Sequence, residues 1–320
     1  MNNYLQGIHH VTTMTGPPQP NVDFYTQVLG LRLIKVTVNF DDPTTYHLYY
    51  GDGRGTPGSA ITFFPWPHLP PRRPGSGEIE VTAYTIPSGS LNWWRGHLQA
   101  AHVPQVTEFS RFGAPGLGFQ DTSGSSIELI EGESNQTHFP WHTSPVSADH
   151  QIRGFHGATA WVRDAAPTVR LLTEVLGLEP LQQDANRTRY GLPDQRNGTH
   201  LDLVEDPSLP TAQPGRGSVH HLAWRVPDDA AQVAIRERIL QAGFPITPVI
   251  DRHYFHSLYF RDGNGLLFEI ATDLPGFTAD GETLETLGTR LQLPPQHEPR
   301  RRQIEATLPS LRYTAAPDKS

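Results

Sequence analysis

Ile8-His9-His10-Val11-Thr12-Thr13 is followed by Phe24-Tyr25-Thr26-Gln27-Val28-Leu29-Gly30-Leu31, and the same plan returns in the second half of the chain. There it reads Phe155-His156-Gly157-Ala158-Thr159-Ala160, then Leu171-Leu172-Thr173-Glu174-Val175-Leu176-Gly177-Leu178. Each copy opens with a strand-like run, continues as a short helix and stops at Leu-Gly, where glycine ends a helix without a Cβ clash. Superposing Gly30 on Gly177 sets His10 over Gly157. A second repeat supplies the remaining strands. One constant offset superposes Asp121 on Asp262, Gly124 on Gly265 and Glu128 on Glu269. Upstream of these, Val81-Thr82-Ala83-Tyr84-Thr85-Ile86-Pro87 sits against His221-Leu222-Ala223-Trp224-Arg225-Val226-Pro227. The chain is therefore α+β, with four tandem βαβββ units beginning near residues 7, 78, 153 and 217.

The expected organisation is an N-terminal module over 1–140 (units one and two) and a C-terminal module over 150–275 (units three and four). An aperiodic stretch at 132–150 joins them, and a polar tail at 276–320 packs outside or lids a mouth. Composition narrows the function. A net charge of −8, with no cationic run beyond Arg300-Arg301-Arg302, disfavours a phosphate-tracking nucleic-acid binder. The absence of cysteine removes disulfides, Fe–S clusters, thiolate zinc sites and cysteine nucleophiles. Apolar runs are short and broken by proline, and Met1-Asn2-Asn3-Tyr4-Leu5-Gln6 has neither the basic start nor the apolar core of a signal peptide. A cytoplasmic protein with no membrane or nucleic-acid partner is expected.

Four such units in tandem resemble the vicinal-oxygen-chelate superfamily, which includes glyoxalases, bleomycin-resistance proteins and extradiol dioxygenases. Within it the chain is similar to ring-cleaving dioxygenases that act on hydroquinones. The resemblance runs from Gly7 to about Phe277. It is carried by Gly7-Ile8-His9-His10-Val11-Thr12, Tyr46-His47-Leu48-Tyr49-Tyr50, Gly55-Thr56-Pro57-Gly58, Gly89-Ser90-Leu91-Asn92-Trp93-Trp94, His220-His221 and the strand holding Glu269. It implies two curled-sheet cups, one pairing units one and four, the other units two and three.

The same resemblance implies a metal held by His10, His221 and Glu269. Two imidazoles and a carboxylate leave open positions, a donor set suited to non-haem Fe(II), with Mn(II) chemically close. The complementary cup has Val81 and Gly157 where the histidines would be, leaving Glu128 alone, so it is expected to be metal-free. Strand alternation puts His10 on a face with Thr12 and directs His9 and His220 the other way. The resemblance nevertheless sets His9, Thr12, His220, Arg252 and Tyr259 around the centre. Arg252 would steady an oxyanion and Tyr259 would relay a proton. With 16 histidines in the chain, His47, His97, His138, His142, His150 and His297 are read as packing or surface residues.

The implied activity is insertion of O2 into an aromatic diol, a hydroquinone cleaved next to a hydroxyl-bearing carbon, by a chain expected to self-associate. Three alternatives stand beside it. A catechol extradiol enzyme would in its commoner arrangement use an imidazole at position 157, which is glycine. A glyoxalase would need a second glutamate at position 62, which is threonine. A metal-free ligand-sequestering protein would not need the three ligands in register.

Overall fold

The computed structural model describes residues 4–134, 137–194 and 197–313. Unit one contributes β1 (Gly7–Thr15), β2 (Arg32–Val38), β3 (Tyr46–Gly51) and β4 (Ala60–Pro65). Unit two contributes β5 (Glu78–Ile86), β6 (Thr107–Arg111), β7 (Ala114–Gln120) and β8 (Ser126–Glu131). Unit three follows with β9 (Phe155–Val162), β10 (Glu179–Asp184), β11 (Arg187–Gly191) and β12 (His200–Glu205). Unit four closes the set with β13 (Val219–Val226), β14 (Ile250–Asp251), β15 (Phe255–Arg261) and β16 (Leu267–Pro275).

Within each unit the first strand pairs parallel with the last, as in β1–β4 and β13–β16, so the helix after the first strand forms a crossover. In units one and three that crossover begins as an α-helix, at Pro18–Asp23 and Ala166–Arg170, and widens into a π-turn before Leu-Gly. First strands of different units then pair antiparallel, β1 with β13 and β5 with β9. The result is two curled eight-stranded sheets, ordered β14-β15-β16-β13-β1-β4-β3-β2 and β10-β11-β12-β9-β5-β8-β7-β6. Each cup draws one unit from either half of the chain, in the expected pairing. One apolar core runs through both sheets, from Val11, Leu48 and Phe63 to Tyr84, Phe155, Leu203 and Phe268.

After β16 the tail crosses to unit one and covers β2, the outer strand of the first sheet. Gln292 donates from its backbone to the Val36 carbonyl at 2.9 Å, and the Tyr46 hydroxyl donates to the Pro309 carbonyl at 3.0 Å. Gly288 (φ 72°) lies so close to the Leu33 carbonyl that a Cβ would meet its oxygen at 2.0 Å, so only glycine fits. Covering an edge strand removes a template for unwanted pairing. Among the described residues no helix is long and apolar enough to cross a membrane.

Candidate metal centre and its cavity

The β1–β13 register sets His10 opposite Ala223 and Thr12 opposite His221. A local twofold between the two strands therefore exchanges His10 with His221. On the flanking strands Glu269 lies beside Ala223 and Thr62 beside Thr12, so Thr62 is the twofold mate of Glu269. Three of the four inward positions carry metal-type donors, and the fourth carries a hydroxyl. His10 Nε2 lies 3.2 Å from His221 Nε2 and 3.3 Å from Glu269 Oε2, and His221 Nε2 is 2.9 Å from the same oxygen. The three residues form a candidate ligand group whose donor atoms all lie within 4.8 Å of one another.

This donor set fits a divalent metal. Glu269 is fully buried, and its Oε2 accepts no hydrogen bond of proper geometry despite its nearness to the imidazoles. Burial alone would raise its carboxyl, but His10 and then His221 carry it well below the usual carboxylate range. Burial lowers the His221 imidazole, favouring the neutral form that a metal requires. An ionised carboxylate among buried imidazoles is costly without a compensating cation. The other oxygen, Oε1, is fixed by the Ser257 hydroxyl at 2.5 Å.

Behind each imidazole stands its sequence neighbour. His9 Nδ1 is 2.9 Å from His10 Nδ1, and His220 Nδ1 is 2.8 Å from His221 Nδ1. Strict alternation would separate these rings. A register break between Ile8 and His10 lets His9 turn toward its neighbour. Burial and then His10 push the His9 imidazole well down, and burial with His221 pushes His220 down to about 3. Both are therefore neutral acceptors that fix the tautomer and tilt of the ring in front.

The triad opens into a cavity of about 230 Å³. Phe64, Trp66, Phe255 and Leu267 supply apolar wall, and Phe255 lies 5.1 Å from both His9 and His10, ring centre to ring centre. Arg252 and Tyr259 line it together, with Arg252 Nε 3.4 Å from the phenol oxygen. Burial and the Glu269 charge raise the Tyr259 hydroxyl well above the usual phenol range, so it stays protonated. Arg252 also reaches Asp41 at 3.2 Å, across the mouth. Thr12 is fully buried and bonds Thr62 at 2.8 Å; the cavity wall does not include it, or His9.

His47 is not a packing residue. It lines the cavity with Tyr49, accepting or donating at 2.8 Å to that phenol and at 2.9 Å to the Thr62 hydroxyl. Alternation along β3 puts His47 and Tyr49 on one face, a signal present in the sequence. Three of the other histidines set aside from the centre have ordinary partners: His97 bonds the Val28 carbonyl, His150 the Ser90 hydroxyl and His297 the Phe40 carbonyl, whereas the buried ring nitrogens of His138 make no hydrogen bond of proper geometry among the described residues.

In the second cup, Val81 and Gly157 occupy the histidine positions, since Ala83 pairs with Gly157 and with Glu128 in the same register. A side chain at Gly157 would collide with the His200 backbone, its Cβ meeting the carbonyl oxygen at 2.6 Å. The two carboxylates there are neutralised by guanidinium groups. Glu128 pairs with Arg111, and Asp202 with Arg187 and Arg189.

A family profile, Glyoxalase/Bleomycin resistance protein/Dioxygenase superfamily, matches residues 7–129 and 154–270, and the chain belongs to this superfamily. It is 44% identical over 302 residues to "Putative ring-cleaving dioxygenase MhqO" of Bacillus subtilis (strain 168), covering 94% of this chain and 95% of that protein. It is 35% identical over 304 residues to chlorohydroquinone/hydroquinone 1,2-dioxygenase of Sphingobium indicum, covering 92% and 93%. The crystal structure of a "putative dioxygenase" from Bacillus subtilis superposes with TM-score 0.93 at 43% identity, over 98% of this chain and all of that one. Glyoxalase I from Zea mays shares the fold, with TM-score 0.64 at 14% identity over 83% and 92%. The chain is an enzyme of the dioxygenase class.

Proposed function

We propose that the protein is an Fe(II)-dependent dioxygenase that opens the ring of a hydroquinone, with Mn(II) as the nearest substitute metal. The observation that carries this reading is the buried His10–His221–Glu269 group opening onto an aromatic-walled cavity with a guanidinium and a phenol at its side. Similarity to a chlorohydroquinone/hydroquinone dioxygenase supports the substrate class. In the reaction both atoms of O2 enter the product, and the bond between a hydroxyl-bearing carbon and its neighbour breaks.

Bound iron would supply the one-electron chemistry by which dioxygen reacts with a closed-shell ring. The chain does the rest. His10 and His221 present Nε2 while their Nδ1–H groups donate to His9 and His220. Phe64, Trp66 and Phe255 hold the ring and exclude water. Arg252 stabilises the phenolate oxygen, and Tyr259, kept protonated, is placed to donate. His220 borders the cavity, and with its Nδ1 accepting from His221 it can offer a donor Nε2–H there. Within this reading the enzyme works in the cytoplasm as an assembly of identical chains.

Anaerobic iron loading followed by oxygen-electrode assays on hydroquinones and catechols tests the proposal. One metal per chain and hydroquinone-dependent O2 uptake are expected. His10→Ala, His221→Ala and Glu269→Ala should lose metal, whereas Glu128→Gln in the second cup should retain turnover within a few-fold. Rapid catechol cleavage without hydroquinone turnover would replace the reading by extradiol cleavage. Full metal retention in all three alanine variants would remove the centre altogether.

A further inference from the structure

We propose that Tyr49, oriented by His47, receives the second hydroxyl of the 1,4-diol, the one that does not go to the metal. The proposal rests on the function proposed above and deepens it by assigning the group that separates diols from monophenols.

The pairing register identifies the position. Tyr49 lies beside Thr62 on β3–β4, as Tyr259 lies beside Glu269 on β15–β16. The local twofold that exchanges His10 with His221 thus exchanges the two tyrosines, and both line the same cavity. Their surroundings differ. Tyr259 belongs to the ligand side, with Arg252 at its oxygen and its ring centre 5.6 Å from that of His221. Among the described residues no cationic group is hydrogen-bonded to the Tyr49 oxygen. Its hydroxyl meets His47 Nδ1 at 2.8 Å, and its ring packs against Phe277 and Tyr254.

The hydrogen-bond chain behind Tyr49 determines what it can offer. His47 Nε2 bonds Thr62, and Thr62 bonds Thr12, so both ring nitrogens of His47 are engaged. With His47 neutral and its Nε2–H donating to Thr62, Nδ1 accepts the Tyr49 proton. The phenol oxygen then keeps a free lone pair while its own O–H is committed. That is the complement of a substrate hydroxyl that donates. The other polar groups of the inner wall suit this role less well. Arg252 has donors only, and His220 is engaged with His221. Tyr49 and His47 are 1% and 8% exposed, so the acceptor is held out of bulk water, where one hydrogen bond discriminates best.

Anaerobic binding of hydroquinone and of 4-methoxyphenol, read by quenching of tryptophan fluorescence (Trp66 is in the wall), tests this without turnover. 4-Methoxyphenol keeps both oxygens but cannot donate from the second while the first is bound. The wild-type enzyme loaded with iron should prefer hydroquinone. Tyr49→Phe should weaken hydroquinone by roughly 3- to 10-fold, the loss of one buried hydrogen bond. Its affinity for 4-methoxyphenol and its iron content should stay unchanged. His47→Leu should lose the same preference, and His47→Gln, whose amide oxygen can still accept from Tyr49, should recover part of it. In steady state the loss should appear in KM more than in kcat. An unchanged preference in Tyr49→Phe, or equal weakening of both ligands, would overturn the assignment while leaving the proposed function standing. Absence of any aromatic-diol turnover by the wild-type enzyme would overturn both.

Discussion

Ser257 and the two histidine neighbours show how little of the centre is left to side-chain freedom. A carboxylate with one oxygen held at 2.5 Å by Ser257 Oγ presents the other in a single direction. Ser257→Ala should therefore leave the fold intact and weaken metal affinity by roughly 10- to 100-fold, as loss of an orienting partner does. Metal titration against a chelator measures it; unchanged affinity would show that Glu269 is oriented by packing alone. The grouping of His10, His221 and Glu269 was legible in the sequence because the repeats superpose the two histidines on Val81 and Gly157, which have no imidazole, and Glu269 on Glu128. That His47 and Tyr49 share a face was legible from alternation along β3; what they do there was not. Their role depends on Thr62, a partner from another strand whose proximity follows from register, and no local pattern marks a histidine whose two nitrogens are both used. Thr12 was placed on the right face, but its hydroxyl is consumed by Thr62, so it acts one bond behind the wall.

Among the elements, the four units followed from the repeat and their pairing from the family resemblance, whereas the tail's anchorage followed from neither. Lys35 on β2 is fully buried, with Asp280 at 2.7 Å, a contact to Glu282, and its ammonium 5.0 Å from the centre of the Tyr254 ring. Tyr254 also donates to Asp280 at 2.9 Å and precedes Phe255 of the cavity wall. The tail is thus clamped to the first cup at the turn that carries Arg252 and Phe255. Lys35 reads in sequence as an ordinary polar residue in a strand, because its partners lie some two hundred and fifty residues away, at |i−j| of 245 and 247. Removing the ammonium leaves two buried carboxylates uncompensated. Lys35→Met should cost about 3–5 kcal/mol, and adding Asp280→Asn with Glu282→Gln should restore part of it. Thermal unfolding of the two variants decides; equal melting temperatures for wild type and Lys35→Met would mean that water already compensates the site.

The whole molecule hides neutral imidazoles in both cups, and this gives its stability a definite pH dependence. Burial is the leading cause in each case: it lowers His9, His47 and His156 well below 6.5, and His220 to about 3. His156, in the second cup, has neither ring nitrogen hydrogen-bonded, and after burial the Arg189 charge adds most to the lowering of its imidazole. These bases bind protons in the unfolded chain that they refuse in the folded one. Below the ordinary imidazole value the unfolded state therefore takes up more protons, and stability rises with pH. The contribution is complete above about 6.5 and is lost progressively as pH falls toward about 3, the lower bound set by His220. At pH 5.5, one unit below the ordinary value, each such group costs about 1.4 kcal/mol. The metal-free protein should melt at lower temperature at pH 5.5 than at pH 7.5. Calorimetry in buffers of different ionisation enthalpy counts the protons taken up on unfolding at pH 5.5. His156→Leu should unfold with close to one proton fewer than wild type, whatever its own melting temperature. An equal count would mean that His156 is already charged in the folded cup, balanced by Asp202 or Glu128 rather than excluded from titration.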